Sequence, residues 1–195
     1  MCHRRYLKPN NWAGRALQQA GRIAKATLTL TRMKVAVLGN QAFSLVNFRS
    51  ELLKDIQARG YETIALAPDL DDDSHQALRE IGVRGVTVSL SRAGLNPLRD
   101  IADMYKLWRV FRREKPDVLL SYTIKPVIYG TLAAMLAGTR ARYALIAGLG
   151  YAFAAPDTLA QRIVHFVAPR LYWLALTFCK VVFMQNPDDT NDFAG

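Results

Sequence analysis

Short apolar runs and longer amphipathic segments alternate along the chain from Met33 onward. Runs of three to five apolar residues without polar alternation are typical of strands buried on both faces of a parallel sheet. Between the runs, apolar residues recur at helical spacing, as Leu52, Leu53 and Ile56 do. The alternation predicts an α/β fold, with a parallel sheet and helices on both of its faces. The predicted strands are 34–38, 63–67, 86–88, 118–120, 143–146 and 181–184.

The net charge of +10 is concentrated in the first 32 residues. Those residues hold seven of the 26 basic and none of the 16 acidic side chains, which leaves 19 basic against 16 acidic. A remainder so close to neutral lacks the basic surface that nucleic acid requires, so we expect no nucleic-acid partner. We predict a basic extension at residues 1–32 and one folded domain at residues 33–195. The extension is either untranslated, with Met33 as the true start, or a basic helix at a membrane surface.

The segment 158–178 is the longest apolar helix that the sequence predicts. Its most apolar part, Ile163–Cys179, barely reaches the length of a bilayer span and contains Pro169 and Arg170. Two alternatives remain open. The segment is a packed core helix, or it lies on a membrane surface with Trp173 and Arg170 at the level of the lipid headgroups.

The cysteines and histidines are too scattered to form a site. Cys2 and Cys179 lie at opposite ends of the chain, and the three histidines are far apart in sequence. This pattern predicts neither a disulfide framework nor a zinc centre, and it suits a reducing cytoplasmic compartment. We expect no metal ion and no cofactor.

The first candidate ligand segment, Gly39–Arg49, is predicted as a loop that follows the first strand and leads into a helix. It lacks the G-x-G-x-x-G spacing of dinucleotide-binding proteins, which argues against a nicotinamide or flavin enzyme. Helix N-termini favour anions, and a guanidinium can bind phosphate through two hydrogen bonds. Ser44, Asn47 and Arg49 are therefore candidate binding residues; alternatively, Asn47 only caps the helix and Arg49 is solvated.

Two further segments also follow predicted strands, where ligands bind in open parallel sheets. After the fourth strand, Lys125 precedes a helix that begins at Pro126, and Tyr129 lies one turn further on. Lysine at this position is placed to meet phosphate, and tyrosine either stacks on a sugar or packs in the core. After the fifth strand, Gly148 and Gly150 permit close approach of the backbone, and Phe153 offers an aromatic surface.

Four motifs in this order resemble the amino-terminal domain of family 4 glycosyltransferases, which have the two-domain, Rossmann-like GT-B architecture. The resemblance covers residues 33–195 and is strongest to the branch that extends sugars linked to undecaprenyl diphosphate. The motifs are Ser44–Arg49 (SLVNFR), Tyr122–Gly130 (YTIKPVIYG), Gly148–Phe153 (GLGYAF) and Gln185–Asp189 (QNPDD).

The resemblance implies transfer of a sugar from a nucleotide-sugar to a lipid-linked saccharide, with retention of anomeric configuration. The donor that it implies above all is a UDP-sugar. It implies a role in O-antigen, capsule or glycan synthesis, and a peripheral position at the cytoplasmic face of the cell membrane. The acceptor-binding candidates are Ser44, Asn47, Arg49, Lys125, Tyr129, Gly148, Gly150 and Phe153; catalytic residues are not assigned.

The donor-binding carboxyl-terminal domain of the family, with its paired glutamates, is absent from residues 1–195. We therefore expect this chain alone to be inactive. The alternative is a non-catalytic α/β binding module, or one half of a split enzyme that pairs with a separate carboxyl-terminal Rossmann domain.

Overall fold

A computed structural model describes residues 32–91, 97–146 and 159–185 of the chain, without the side chains of residues 159–166 and 168. The described elements begin with β1 (Lys34–Leu38), α1 (Ala42–Phe48), α2 (Ser50–Ala58), β2 (Glu62–Ala67), α3 (Asp72–Glu80) and β3 (Arg84–Thr87). They continue with α4 (Pro97–Glu114), β4 (Val118–Tyr122), a π-helical turn (Pro126–Gly130), α5 (Thr131–Ala137), β5 (Ala141–Ile146), α6 (Leu159–Thr177) and β6 (Val181–Met184).

The six strands form one parallel sheet in the order β3-β2-β1-β4-β5-β6. The predicted α/β fold is therefore confirmed. The chain first builds outward from β1 to β3 and then crosses to the other side of β1, where β4 pairs with it. Parallel sheets of this kind bind ligands in the crevice beyond the carboxyl ends of the strands at which the order reverses. The strands at that point are β1 and β4.

Both faces of the sheet carry helices. On one face, Leu45 of α1 and Leu53 of α2 pack in the same core as Val35 and Val37 of β1. On the other face, α4 packs in a core with Ala36 and Leu38, and α6 packs with the π-helical turn over β5 and β6. Alternate residues of β1 are thus buried on opposite faces, as an all-parallel sheet requires.

The prediction of a loop at Gly39–Arg49 is wrong for most of its length. Only Gly39–Gln41 separates β1 from α1, and Arg49 joins α1 to α2 with φ −122° and ψ 2°. Leu45 is fully buried, so packing of this side chain fixes the segment as a helix against the sheet. Burial of an apolar face outweighs the modest helix propensity of the residues around it.

Within the described residues, no helix has the length and apolar character needed to cross a bilayer. Helix α6 contains Pro169. Of its described side chains, Tyr172 and Leu176 are buried while Trp173 is 59% exposed. It is therefore a packing helix on its inner side, and its outer side is open to solvent.

Candidate substrate site at the carboxyl ends of β1 and β4

Arg49 lies over the end of β4 and is half-buried. Its guanidinium carbon is 5.1 Å from the centroid of the Tyr122 ring, a cation–π geometry. One terminal nitrogen donates a hydrogen bond to Gln185 Oε1 at 3.2 Å, just beyond β6. Burial lowers the pKa of Arg49 from its usual value. Arg49 is therefore held by contacts at the ends of two strands, β4 and β6, and is only partly solvated.

Tyr122 is the last residue of β4, and it is 1% exposed. Its ring occupies space that Gly39 leaves open, because a Cβ on Gly39 would lie 2.3 Å from the tyrosine oxygen. Burial raises the pKa of Tyr122, while the neighbouring Ser44 hydroxyl and Arg49 guanidinium oppose that rise. Glycine at position 39 thus allows an aromatic side chain to lie across the β1–β4 crevice.

Three buried side-chain atoms in the described residues lack a hydrogen-bond partner of ordinary geometry: Arg49 Nε, the Tyr122 hydroxyl and Thr123 Oγ1. Arg49 and Tyr122 contact each other at the end of β4, and Thr123 is the residue that follows Tyr122 in the chain. Thr123 also has a positive φ of 68°, which a β-branched residue rarely adopts. Leaving a buried donor unsatisfied costs about 1–3 kcal/mol, so such groups call for a physical explanation. A ligand rich in oxygen acceptors would satisfy all three.

Lys125 and Tyr129 are held by a buried carboxylate. The Lys125 ammonium donates to Asp100 Oδ1 at 2.9 Å and to Ser91 Oγ at 3.0 Å. The Tyr129 hydroxyl donates to the other oxygen of Asp100 at 3.0 Å, and burial raises its pKa, with the nearby carboxylate adding to the rise. Lys125 is therefore neutralised within the fold. Its assignment to an acceptor diphosphate stays a prediction.

A second carboxylate, Asp103, secures the backbone beside this pair. It accepts hydrogen bonds from the Ser91 amide at 3.0 Å and the Ser89 hydroxyl at 2.5 Å, and it is 2% exposed. Asp100 and Asp103 thus face inward from the first turns of α4. They fix the chain that follows β3 and bring the start of α4 next to Lys125.

The N-terminus of α1, where we expected a substrate anion, already holds a protein carboxylate. Asp69, just after β2, accepts a hydrogen bond from the Ala42 amide at 2.7 Å. A carboxylate at this position is favoured by the helix dipole.

The remaining predicted residues divide into two groups. Ser44 is half-buried beside Tyr122, whereas Asn47 is exposed and donates to the Phe43 carbonyl at 2.9 Å. Asn47 thus lies within α1 and caps neither end of it. Gly148, Gly150 and Phe153 lie outside the described residues.

The sequence reasoning gave no role to several residues that the structure places here. Tyr122 and Thr123 belong to the motif Tyr122–Gly130. Their position at the end of a central strand is the signal that could have indicated a role in the site. Phe43 and Phe48 form an exposed edge-to-face pair on α1, with ring centroids 5.7 Å apart. Aromatic pairs of this kind offer an apolar surface beside the crevice.

The fold is an α/β domain with one parallel sheet, and the crevice lies at the carboxyl edge of that sheet. A family model for the glycosyl transferase 4-like domain matches residues 47–181. The chain belongs to this family.

Among curated proteins, the chain is similar to the N,N'-diacetylbacillosaminyl-diphospho-undecaprenol alpha-1,3-N-acetylgalactosaminyltransferase of Campylobacter jejuni. The two are 30% identical over 154 residues, which cover 79% of this chain and 40% of that relative. The chain thus spans well under half the length of this curated relative.

Solved structures show the same fold. The UDP-GlcNAc 2-epimerase of Neisseria meningitidis, bound to UDP-GlcNAc, matches with a TM-score of 0.57 at 15% identity, over 83% of this chain and 43% of that one. MurG of Acinetobacter baumannii matches with a TM-score of 0.51 at 15% identity, over 78% and 41%.

Proposed function

We propose that the domain forms the acceptor side of a glycosyltransferase. The enzyme would transfer a sugar, with retention, from a nucleotide-sugar, most simply a UDP-sugar, to a saccharide linked to undecaprenyl diphosphate. Family membership supports the reaction class, and the printed activity of the Campylobacter relative supports the lipid-linked substrate. We propose that the product serves O-antigen, capsule or glycan synthesis.

The observation that carries the proposal is the cluster of Arg49, Tyr122 and Thr123. Its three unsatisfied buried atoms are all able to donate hydrogen bonds, and no carboxylate within the described residues pairs with Arg49. Phosphate and sugar oxygens accept such bonds, and a guanidinium adds charge that suits a diphosphate. Since the atoms are enclosed, we expect ligand entry to require a local shift of the chain around the crevice.

We propose that Ser44, Asn47, Lys125, Tyr129, Gly148, Gly150 and Phe153 surround the same acceptor. Ser44 supports this role by its position beside Tyr122. Lys125 and Tyr129 support it only indirectly, because both side chains donate hydrogen bonds to Asp100.

The nucleotide-sugar would meet this domain across a cleft with a second Rossmann-like domain. This chain covers 40% of the Campylobacter relative, and the remaining length of that protein is enough for a second domain. We infer that the described domain alone does not complete transfer, and that the second domain is supplied by a longer protein or a separate chain. We also place the enzyme at the inner face of the cell membrane, where a lipid-linked acceptor is held.

Isothermal titration calorimetry with a short-chain prenyl-diphosphate sugar tests the proposal, and a panel of UDP-sugars serves as the comparison. We expect the prenyl-linked ligand to bind and Arg49→Ala to weaken binding about ten-fold or more, as loss of a charged hydrogen bond does. The matched control is Arg59→Ala, which removes an exposed arginine at the end of α2.

Binding of UDP-sugars alone would overturn the acceptor assignment. Equal affinity of the Arg49→Ala and Arg59→Ala variants for the prenyl-linked ligand would place its site elsewhere. Loss of binding in Lys125→Ala, with Arg49→Ala unaffected, would move the diphosphate to the Lys125–Asp100 pair.

A further inference from the structure

An exposed aromatic pair lies on α1, next to the arginine of the candidate site. Phe43 is 61% and Phe48 66% exposed, and their rings meet edge to face with centroids 5.7 Å apart. The opposite side of α1 packs in the core, where Ala42 and Leu45 are buried. Helix α1 therefore has one apolar side against the sheet and a second apolar surface that is open to solvent.

This pair stands apart from the other exposed apolar side chains of the domain. Among the described residues, nine large apolar side chains are strongly exposed, and seven of them lie on α4, α5 and α6. Helices α1, α2 and α3 cover the opposite face of the sheet, where Phe43 and Phe48 are the two that are strongly exposed. Single exposed apolar residues are common on any surface, but two aromatic rings in contact form a contiguous surface that calls for an explanation.

The aromatic pair is continuous with the cationic group of the candidate site. Arg49 follows Phe48 directly, and one of its terminal nitrogens lies 3.5 Å from the Phe48 carbonyl oxygen. The guanidinium therefore lies close to the residue that carries one of the two rings, while it also lies over the Tyr122 ring. Arg49 thus joins a cation with an unsatisfied Nε to an exposed apolar surface.

A prenyl diphosphate has the same two parts next to each other. Its phosphate oxygen is bonded to the first carbon of a branched apolar chain, so an anion held at Arg49 leaves that chain within reach of Phe48. A nucleotide-sugar carries the same diphosphate, but a ribose with polar hydroxyl groups takes the place of the chain. Aromatic surface gains from burial of apolar carbon, whereas hydroxyl groups that lose water without a new partner are penalised. The pair can therefore distinguish two ligands that the cation alone binds alike.

We propose that Phe43 and Phe48 form a subsite for the first isoprene units of the acceptor, so that the crevice selects a prenyl diphosphate over a nucleoside diphosphate. The inference rests on the proposed function, because it takes the acceptor diphosphate to lie at Arg49. It adds the residues that choose between the two diphosphate carriers in the reaction. Its occupant is the apolar chain of the acceptor itself.

Calorimetry with a matched series of ligands tests the subsite in the full chain. The probes carry N-acetylglucosamine on a diphosphate whose other end bears a methyl, a dimethylallyl or a geranyl group, and UDP-GlcNAc is the nucleoside counterpart. Burial of one methylene strengthens binding about four-fold, so contact with about three carbons should make the geranyl ligand bind about fifty-fold more tightly than the methyl ligand. Phe43→Ala with Phe48→Ala should reduce this ratio to about three-fold and change the affinity of the methyl ligand less than about two-fold.

Three further variants separate the subsite from other effects. Phe43→Leu with Phe48→Leu keeps an apolar surface and should retain most of the chain-length ratio. Leu136→Ala with Leu174→Ala removes two exposed apolar side chains on the opposite face of the sheet and should leave every affinity unchanged. Arg49→Ala should weaken the methyl and geranyl ligands by the same factor, because it acts on the diphosphate that they share. Circular dichroism of each variant checks that the fold is intact.

A photoreactive ligand locates the chain directly in the unmodified protein. The geranyl ligand carries a diazirine in its first isoprene unit, and the labelled protein is digested with trypsin. Cleavage after Lys34 and Arg49 releases residues 35–49 as one peptide, since no basic residue lies between them. Mass spectrometry should find the label on this peptide, at Phe43 or Phe48, and an excess of the geranyl ligand without diazirine should suppress it.

Every other outcome overturns the inference. Binding that depends on Arg49 but not on chain length would leave the acceptor assignment standing and remove the subsite. A chain-length ratio that survives in the double alanine variant, or a label on another peptide, would place the chain elsewhere. Weaker binding of the methyl ligand by the double alanine variant would assign the pair to the saccharide or the diphosphate. Self-association without ligand that the double alanine variant loses would identify a second copy as the occupant, and absence of binding by the whole series would remove the proposed function and the subsite together.

Discussion

The Asp100–Lys125 ion pair is the part of the candidate site whose energy can be worked out most directly. Its atoms are 2.9 Å apart, and the two side chains are only 4% and 12% exposed. Removal of one partner leaves a buried charge without its counter-ion, at a cost of about 3–5 kcal/mol. We expect Asp100→Asn and Lys125→Met each to lower the free energy of unfolding by about 3 kcal/mol. For a domain of this size, that loss lowers the melting temperature by about 6–12 °C.

The double variant should lose much less than the sum. With both charges gone, the methionine side chain is apolar, and the Tyr129 hydroxyl can still donate to the side-chain carbonyl of the asparagine that replaces Asp100. We expect a total loss of about 3 kcal/mol in place of about 6, which is a coupling energy of about 3 kcal/mol. Urea unfolding followed by circular dichroism gives all four corners of this cycle.

An exposed pair on the same chain provides the matched control. Lys54 and Glu51 are 2.8 Å apart, three residues apart on α2, and 49% and 84% exposed. Solvent screens such pairs, so their coupling should be no more than about 0.5 kcal/mol. The reasoning is refuted if the buried pair couples as weakly as this one. Lys125 would then be free of Asp100 in solution, and its role as a ligand for phosphate would be restored.

Other perturbations test the crevice itself. Gly39→Ala should lower the free energy of unfolding by about 2 kcal/mol, because the new methyl group overpacks against the Tyr122 ring. Urea unfolding should show a smaller loss when the same substitution is made in a Tyr122→Leu background, and an equal loss would show that the ring is not the cause. Thr123→Asn should raise the free energy of unfolding by about 1 kcal/mol, because asparagine tolerates positive φ; no gain would argue against the strained conformation. Above about pH 10 the unfolded chain loses tyrosine protons that buried Tyr129 retains, since its folded pKa is raised, so stability should fall as pH rises. Tyr129→Phe should make that fall shallower by up to about 1.4 kcal/mol per pH unit, as measured by unfolding between pH 9 and 11.5.

The strands could be predicted well because the information that defines them is local. The run 34–38 is the observed β1, and 63–67 and 118–120 differ from β2 and β4 by one or two residues at one end. A buried parallel strand needs only a short apolar run between turn residues, and the sequence shows both.

The start of α1 could not be predicted in the same way. Its N-terminal amide is satisfied by Asp69, which lies 27 residues further along the chain. A local search finds capping residues only next to the helix that they cap.

The partner of Lys125 escaped prediction for a related reason. Acidic residues in the first turns of a helix usually face solvent, where the helix dipole favours them. Asp100 instead points inward, 25 residues before the lysine that it meets. Only the packing of α4 against the π-helical turn brings the two together, so sequence spacing carried no sign of it.

The two predicted cations therefore differ in what they can offer a ligand. Lys125 already has a carboxylate and a hydroxyl within hydrogen-bonding distance, and a phosphate would have to compete with a buried ion pair. Arg49 has an unsatisfied Nε, an aromatic ring beneath it and neutral partners only, so an incoming anion gains a charge interaction without breaking one. Desolvation has also lowered its pKa, and a bound anion would relieve that penalty. We therefore expect the diphosphate of the acceptor at Arg49, Tyr122 and Thr123, with Lys125 acting to hold the start of α4 beside them.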